Sequence, residues 1–240
     1  MMTTLITGSS GGIGAAVAKA LAAPGQHLYL HYHEGKAEAE KVRAHCEKQG
    51  ATVTLVCANL QADDGVPALI AGVHHPVDHL ILANGKAYYG LYTDMEDREL
   101  MDVFTLNVTA PMRIVKHFLT HMINQKYGRI VAVSSIWGDV GAALEVAYSA
   151  AKGGMNQFVR AIAKEAAPSG ITVNGVSPGV VDTKMMDAFS SEEKAELEHA
   201  IPAGRFGTVE EVASACSYLL SPEASYINGH ILSVNGAWSG

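Results

Sequence analysis

The sequence predicts an α/β fold: a single doubly wound parallel sheet of about seven strands with helices on both faces. Three observations carry that expectation. Short apolar runs alternate with helical stretches along the chain. The links between them are short, and in an alternating pattern short links mean parallel strands covered by crossover helices. Glycines (Gly8, Gly11, Gly12, Gly14) crowd the passage from the first strand to the first helix.

The elements follow in order. Leu5-Ile6-Thr7 is a strand that runs into the glycine-rich turn, and Ile13 to Ala23, small and apolar, is a helix suited to close packing on a sheet. His27 to His31 is strand-like. Lys36 to Gln49 is a polar-faced helix with Ala39, Val42 and Cys46 at helical spacing. Thr52 to Cys57 is a strand, Val66 to Val73 a helix, and His79 to Ala83 a strand ending at Asn84-Gly85. Met95 to Asn124 gives two helices divided near Asn107. Arg129 to Ser134 is a strand and Ala147 to Ala166 a long helix. Ile171 to Val176 is a strand closed by Pro178-Gly179, Val209 to Leu220 a helix, and His230 to Val234 the last strand. These strands leave no room for a second domain, so one domain spans 1–240. The irregular stretch Thr183 to Gly207, with a helical piece at Glu192 to Ala200, follows a strand's C-terminal end and reads as a substrate lid.

Composition excludes several classes. With 48% hydrophobic residues the chain is not disordered. At 240 residues it can bury a substantial core. Seventeen Lys and Arg against 24 Asp and Glu give a formal charge of −7, with no basic run to track nucleic-acid phosphates or an anionic membrane. Cys46, Cys57 and Cys216 are an odd, widely spaced set without metal or redox spacing, and read as small buried hydrophobes in a reducing compartment. No apolar run reaches membrane-span length, and Met1 to Thr7 lacks a basic leader region. A cytoplasmic location is expected. His74, His75 and His79 have no acid or cysteine set beside them, so they read as surface polarity and no metal is expected.

Thr7-Gly8-Ser9-Ser10-Gly11-Gly12-Ile13-Gly14 sits at a strand-to-helix turn. Glycines there let the backbone approach a pyrophosphate, which a helix N-terminus favours electrostatically. Further on, Tyr148 and Lys152 lie four apart on one helix face, Ser135 ends the preceding strand, and Asn107 sits within Leu106-Asn107-Val108-Thr109. A lone Tyr-x-x-x-Lys is ordinarily a helix-surface pair. Combined with the other residues it points to chemistry. Hydride delivered to a ketone carbon needs a proton donor and a polarising hydrogen bond. A tyrosine, pKa about 10, needs a nearby ammonium to stabilise its phenolate.

Together these motifs resemble the short-chain dehydrogenase/reductase family along the whole chain, which implies a Rossmann-type fold and a nicotinamide cofactor. The resemblance assigns Asn107, Ser135, Tyr148 and Lys152 as the catalytic set. On this reading Lys152 charges Tyr148 and holds the nicotinamide ribose. Ser135 polarises the carbonyl and Asn107 anchors a relay water. Cofactor contacts carried over are Gly8, Ser10, Gly12, Ile13, Gly14, Tyr32, His33, Asn59, Leu60, Asn84, Gly85, Tyr148, Lys152, Pro178, Gly179, Val181 and Thr183. NAD-preferring relatives place an acid at the end of the second strand. Here that place is Tyr32, followed by His33 and Lys36, so NADPH is favoured over NADH. Three departures stand out. Gly11 occupies a place where many NADP-dependent relatives carry arginine, Asn59 replaces an aspartate, and Leu82-Ala83-Asn84-Gly85 replaces Asn-Asn-Ala-Gly.

Substrate contacts are expected from Ser135, Glu145, Tyr148 and Met185, with Met186 beside it. The segments after Lys152 and around Pro202 to Gly207 look most like 3-oxoacyl-(acyl carrier protein) reductases, which present basic residues to their acidic carrier. Lys126 falls at one such place and Ser169 at the other. Glu145 stands where those enzymes usually show a neutral glutamine and would suit a cationic substrate. The Leu28 to His33 strand also looks like bacterial reductases that convert an aminopentanone group on elongation factor P. The expected substrate is thus a small or carrier-bound carbonyl compound. A non-catalytic nucleotide-binding protein on the same fold is the contrasting reading. Family members use the last strand, here bounded by Asn228-Gly229 and Asn235-Gly236, in tetramer contacts, so a homotetramer or homodimer is expected.

Overall fold

The computed structural model describes residues 1–183 and 190–239. Its strands are β1 (Met2–Thr7), β2 (Gln26–Tyr32), β3 (Thr52–Cys57), β4 (His79–Leu82), β5 (Gly128–Val133), β6 (Ile171–Pro178) and β7 (Ile231–Val234). They form a seven-stranded sheet in the order β3-β2-β1-β4-β5-β6-β7, with every neighbouring pair parallel. The helices are α1 (Gly12–Leu21), α2 (Lys36–Lys48), α3 (Gly65–Ala71), α4 (Asp97–Phe104), α5 (Ala110–Gln125), α6 (Trp137–Val140), α7 (Val146–Ala166), α8 (Ser191–Ala200) and α9 (Val209–Leu220).

Successive strand residues face opposite sides of the sheet. Leu5, Tyr29, Leu80 and Ile130 join one core with Ile114, Phe118, Met155 and Val159 from α5 and α7. Their neighbours Ile6, Leu30, Ile81 and Val131 join the other core with Val17, Val42, Val212 and Cys216 from α1, α2 and α9. Burial on both faces explains why the strands read as continuous apolar runs instead of alternating ones. The chain builds outward through β2 and β3, then crosses back to place β4 on the other side of β1. That reversal opens a crevice at the C-terminal ends of β1 and β4, where open α/β sheets take ligands.

The division expected near Asn107 is a π-helical turn, Thr105–Thr109, between α4 and α5. α4 starts on a capping box between Glu96 and Glu99. Between β6 and α9 the chain leaves the sheet and returns to it. Val181 bridges to Gly207, whose amide donates to the Val180 carbonyl at 2.9 Å and whose carbonyl accepts from Asp182 at 3.0 Å. Arg205 grips Glu211 of α9 through both terminal guanidinium nitrogens, at 3.0 and 2.6 Å. Met185 and Met186 lie outside the described residues.

Two sequence expectations are corrected. His79 is not surface polarity: it is a buried β4 residue whose Nε2 lies 2.9 Å from the Tyr127 hydroxyl, and burial lowers its pKa to about 4. The ring of His75 is likewise engaged, its Nδ1 bonded to the Tyr29 hydroxyl. Cys46 and Cys216 are buried thiols as expected, but Cys57 is exposed because it ends an outer strand. Among the described residues no helix is long and apolar enough to cross a membrane.

Candidate active site

The crevice begins where β1 ends. Gly8 has φ +67°, a left-handed conformation, and a Cβ on it would lie 2.8 Å from the Ala83 carbonyl oxygen. Only glycine allows β1 and β4 to deliver their ends this close together. α1 starts four residues later at Gly12, so its first-turn amides, including Ile13 and Gly14, lack acceptors within the helix. Thr183 faces this N-terminus, its methyl carbon 3.1 Å from where a Cβ on Gly12 would sit. Ser10 packs against Gly35 in the loop after β2.

Asn84 knits the crevice floor. Its Oδ1 accepts from the Thr7 hydroxyl at 2.6 Å and its Nδ2 donates to the Leu106 carbonyl at 2.6 Å. The side chain is thus engaged within the protein. Leu106 is also the neighbour of Asn107, so one amide ties the end of β1 to the π turn. Asn107 is 1% exposed. Its Nδ2 donates to the Lys86 and Val103 carbonyls, each at 2.9 Å, while its Oδ1 is buried with no partner. A Cβ on Gly85 would fall 2.8 Å from that oxygen and 3.4 Å from Lys152 Nζ. Gly85 therefore keeps open the space between the orphan acceptor and the lysine.

Tyr148 and Lys152 share the face of α7 turned to this space. Lys152 Nζ donates to the Val133 carbonyl at 2.9 Å and lies 5.5 Å from the Tyr148 ring centre. Burial lowers the Lys152 pKa from 10.5 to about 8. Burial foremost, and then the charge of Glu145, push the Tyr148 hydroxyl well above its usual 10, against a hydrogen bond with Ser135 that lowers it. The resting site holds a protonated phenol beside a lysine near its titration point. Ser135 Oγ also accepts from the Trp137 amide at 3.3 Å, which orients the loop after β5. Glu145 is half-buried. Burial raises its pKa, and a hydrogen bond from the Trp137 side chain partly offsets the shift. Trp137 in turn meets Trp238 edge-to-face, centroids 5.3 Å apart.

At the far end of the crevice Tyr32 is buried and its hydroxyl bonds to the Cys57 thiol. His33 is exposed, its Nδ1 3.9 Å from the Glu34 carboxylate, and Lys36 is exposed at the start of α2. Asn59 Oδ1 accepts from the Gln61 amide at 3.0 Å, and Leu60 turns its side chain into the core. Pro178 and Gly179 close β6, with the Pro178 carbonyl accepting from Ile136 at 3.1 Å. Of the expected site residues, all but Met185 are described.

Sequence reasoning missed the groups that support the set. Asn156, one turn beyond Lys152, accepts from the Ser134 hydroxyl at 2.6 Å and donates to Asp139 at 3.0 Å, pinning the Ser135 loop to α7. Its place at Tyr-x-x-x-Lys-x-x-x-Asn spacing, on the same helix face, was the available signal. The Trp137–Trp238 contact joins positions about a hundred apart and left no local signal.

A family model described as enoyl-(acyl carrier protein) reductase matches residues 8–239. The chain is 46% identical over 237 residues to the uncharacterized oxidoreductase YmfI of Bacillus subtilis (strain 168), covering 98% of each chain. It is 36% identical over 239 residues to the 3-oxoacyl-(acyl-carrier-protein) reductase FabG of Aquifex aeolicus (strain VF5), covering 97% of this chain and 95% of that one. Among solved structures, the angucycline C-6 ketoreductase LanV with bound NADP superimposes with a TM-score of 0.92 at 27% identity. That match covers 99% of this chain and 95% of the other.

Proposed function

Because the chain belongs to the short-chain dehydrogenase/reductase family, we propose that this oxidoreductase is an NADPH-dependent ketone reductase acting on 3-oxoacyl-(acyl carrier protein)-like substrates and forming a secondary alcohol. The carrying observation is Tyr148, hydrogen-bonded to Ser135 on one side and backed by the Lys152 ammonium on the other.

The crevice fits a dinucleotide. Gly8 makes the left-handed turn that carries β1 into α1, and the first-turn amides of α1 suit a pyrophosphate. On this reading Gly8, Ser10, Gly12, Ile13 and Gly14 hold the phosphates, and Tyr32, His33, Asn59 and Leu60 the adenosine end. Asn84, Gly85, Pro178, Gly179, Val181 and Thr183 border the nicotinamide end, with Tyr148 and Lys152 on its ribose. NADPH is favoured over NADH because no acid ends β2 and the exposed His33 and Lys36 suit a 2′-phosphate. LanV, solved with NADP, supports the same choice.

When bound, the reduced nicotinamide supplies the hydride for the carbonyl carbon. Ser135 donates to the substrate oxygen as charge grows there. Tyr148, held protonated by burial and by Glu145, gives that oxygen its proton. The phenolate left behind faces the Lys152 ammonium, which stabilises it. Lys152 then passes a proton to the phenolate, and a water held by the orphan Oδ1 of Asn107 relays one from solvent to the Lys152 amine.

A second reading is favoured by Glu145. A half-buried carboxylate bonded to the Trp137 indole beside Tyr148 suits a ketone that carries an ammonium, as the aminopentanone group on elongation factor P does. We further place the protein in the cytoplasm, a reading its three free thiols support, and expect a homotetramer or homodimer. The exposed Met112 and Ile123 of α5 and the outer position of β7 support association.

The test is a competition between acetoacetyl thioester and aminopentanone-modified elongation factor P, followed as NADPH oxidation. Tyr148→Phe should lower the rate on either by about 10²–10⁴-fold. Full activity in that variant overturns the assignment. Preference for the modified factor, lost in Glu145→Gln, selects the second reading.

A further inference from the structure

His31 stands next to the end of β2 and is 3% exposed. Nothing in the proton-transfer scheme uses it, yet its ring touches two of the segments that line the dinucleotide crevice. The Gly8 amide donates to its Nδ1 at 3.1 Å. Its Nε2 lies 3.0 Å from the Ala58 carbonyl oxygen, just after β3. Its own carbonyl accepts from both the amide and the hydroxyl of Ser9, each at 2.9 Å. A backbone N–H only donates and a carbonyl only accepts, so these contacts define the ring's state. Nδ1 is bare, Nε2 carries the proton, and the imidazole has no charge.

We propose that His31 is a positioning residue of the dinucleotide site: its neutral ring is a strut that sets the spacing between the glycine turn at Gly8 and the strip Ala58-Asn59-Leu60. The inference rests on the reading of this crevice as the NADPH site. Three features argue for a strut over simple core filling. Both ring nitrogens go to main chain, so the contact fixes backbone rather than side chains. The two partners belong to different loops that hold opposite parts of the dinucleotide. Gly8 is also the residue whose left-handed conformation brings β1 against β4, so a shift there propagates to Ala83 and Asn84. Burial lowers the His31 pKa to about 4, which keeps the ring uncharged at neutral pH. A proton on Nδ1 would face the Gly8 N–H donor to donor.

Removing the ring leaves the part-buried Gly8 amide and the buried Ala58 carbonyl without these partners. His31→Ala should therefore weaken NADPH binding by about tenfold or more, measured as a dissociation constant by cofactor fluorescence. At saturating NADPH its kcat should fall by a smaller factor than its affinity, because His31 touches no reacting group. His31→Asn keeps an acceptor for Gly8 and should lose markedly less affinity than His31→Ala. Independently of any variant, nitrogen NMR of histidine-labelled wild type should show His31 as the neutral Nε2–H tautomer, with and without NADPH. Wild-type affinity in His31→Ala, or an Nδ1–H tautomer, overturns the strut alone. A wild-type protein that binds neither NADPH nor NADH overturns the cofactor reading, and the strut with it.

Discussion

Lys152 Nζ donates to the Val133 carbonyl at 2.9 Å, at the end of the strand that delivers Ser135. One hydrogen bond thus ties the Lys152 ammonium to the strand that leads into Ser135. The tie is buried, and burial opposes the charge that the chemistry requires.

This opposition has a thermodynamic sign. The Lys152 pKa falls from 10.5 to about 8 on folding. Below pH 8 folded and unfolded chains both hold the proton, and the folded chain bears the full desolvation penalty. Between about 8 and 10.5 only the unfolded chain stays protonated, so the Lys152 contribution makes the fold more stable as pH rises. Lys152→Met should therefore stabilise the cofactor-free protein at pH 7 by about 1–3 kcal/mol, net of the lost hydrogen bond, while ending reduction. Urea unfolding at pH 7 and pH 10 checks both parts. A less stable variant at pH 7 contradicts the argument.

Ketone reduction should follow the same group. Proton release from Tyr148 needs Lys152 charged to receive the phenolate, so kcat/KM should fall above about pH 8, by about tenfold per unit. Steady-state rates from pH 6 to pH 10 measure this. A flat profile across that range removes Lys152 as the charge partner.

Asn107 should show a split effect. Asn107→Leu leaves the Lys86 and Val103 carbonyls without their shared donor, which should cost about 1–3 kcal/mol of stability. It also removes the orphan Oδ1, so kcat should drop while the NADPH dissociation constant changes little. Denaturant titration and cofactor fluorescence on one preparation separate the two. Unchanged kcat would remove the relay role.

Cofactor choice should respond to charge beyond β2. His33→Asp puts a carboxylate where the 2′-phosphate is expected, and the ratio of NADPH to NADH efficiency should fall by about tenfold or more. A wild-type protein that already prefers NADH would sink the inference from Tyr32, His33 and Lys36.

Much of the fold was legible because the sheet is buried on both faces. Runs such as Leu28 to Leu30 and Leu80 to Leu82 are apolar throughout, and the helices between them keep a polar face. Tyr148 and Lys152 were legible because helical periodicity is local. Asn107 could be placed by position, but not its presentation: the π turn has no local signature and arises from packing against Asn84 and α7. His79 was misread because polarity alone did not reveal that β4 is central and that Tyr127 waits beside it. His31 was passed over because its partners, Gly8 and Ala58, lie 23 and 27 positions away. Groups that do chemistry at fixed spacing announce themselves, whereas groups that hold them meet only after folding.

The hydrogen bonds that join Val180 and Asp182 to Gly207 make the intervening insert a cassette sewn shut at its base. Its exchange for a longer or shorter graft is cheap, since each doubling of a closed loop costs only about 0.6 kcal/mol. Evolution has the same licence: the insert can change length while Ser135, Tyr148 and Lys152 keep their places.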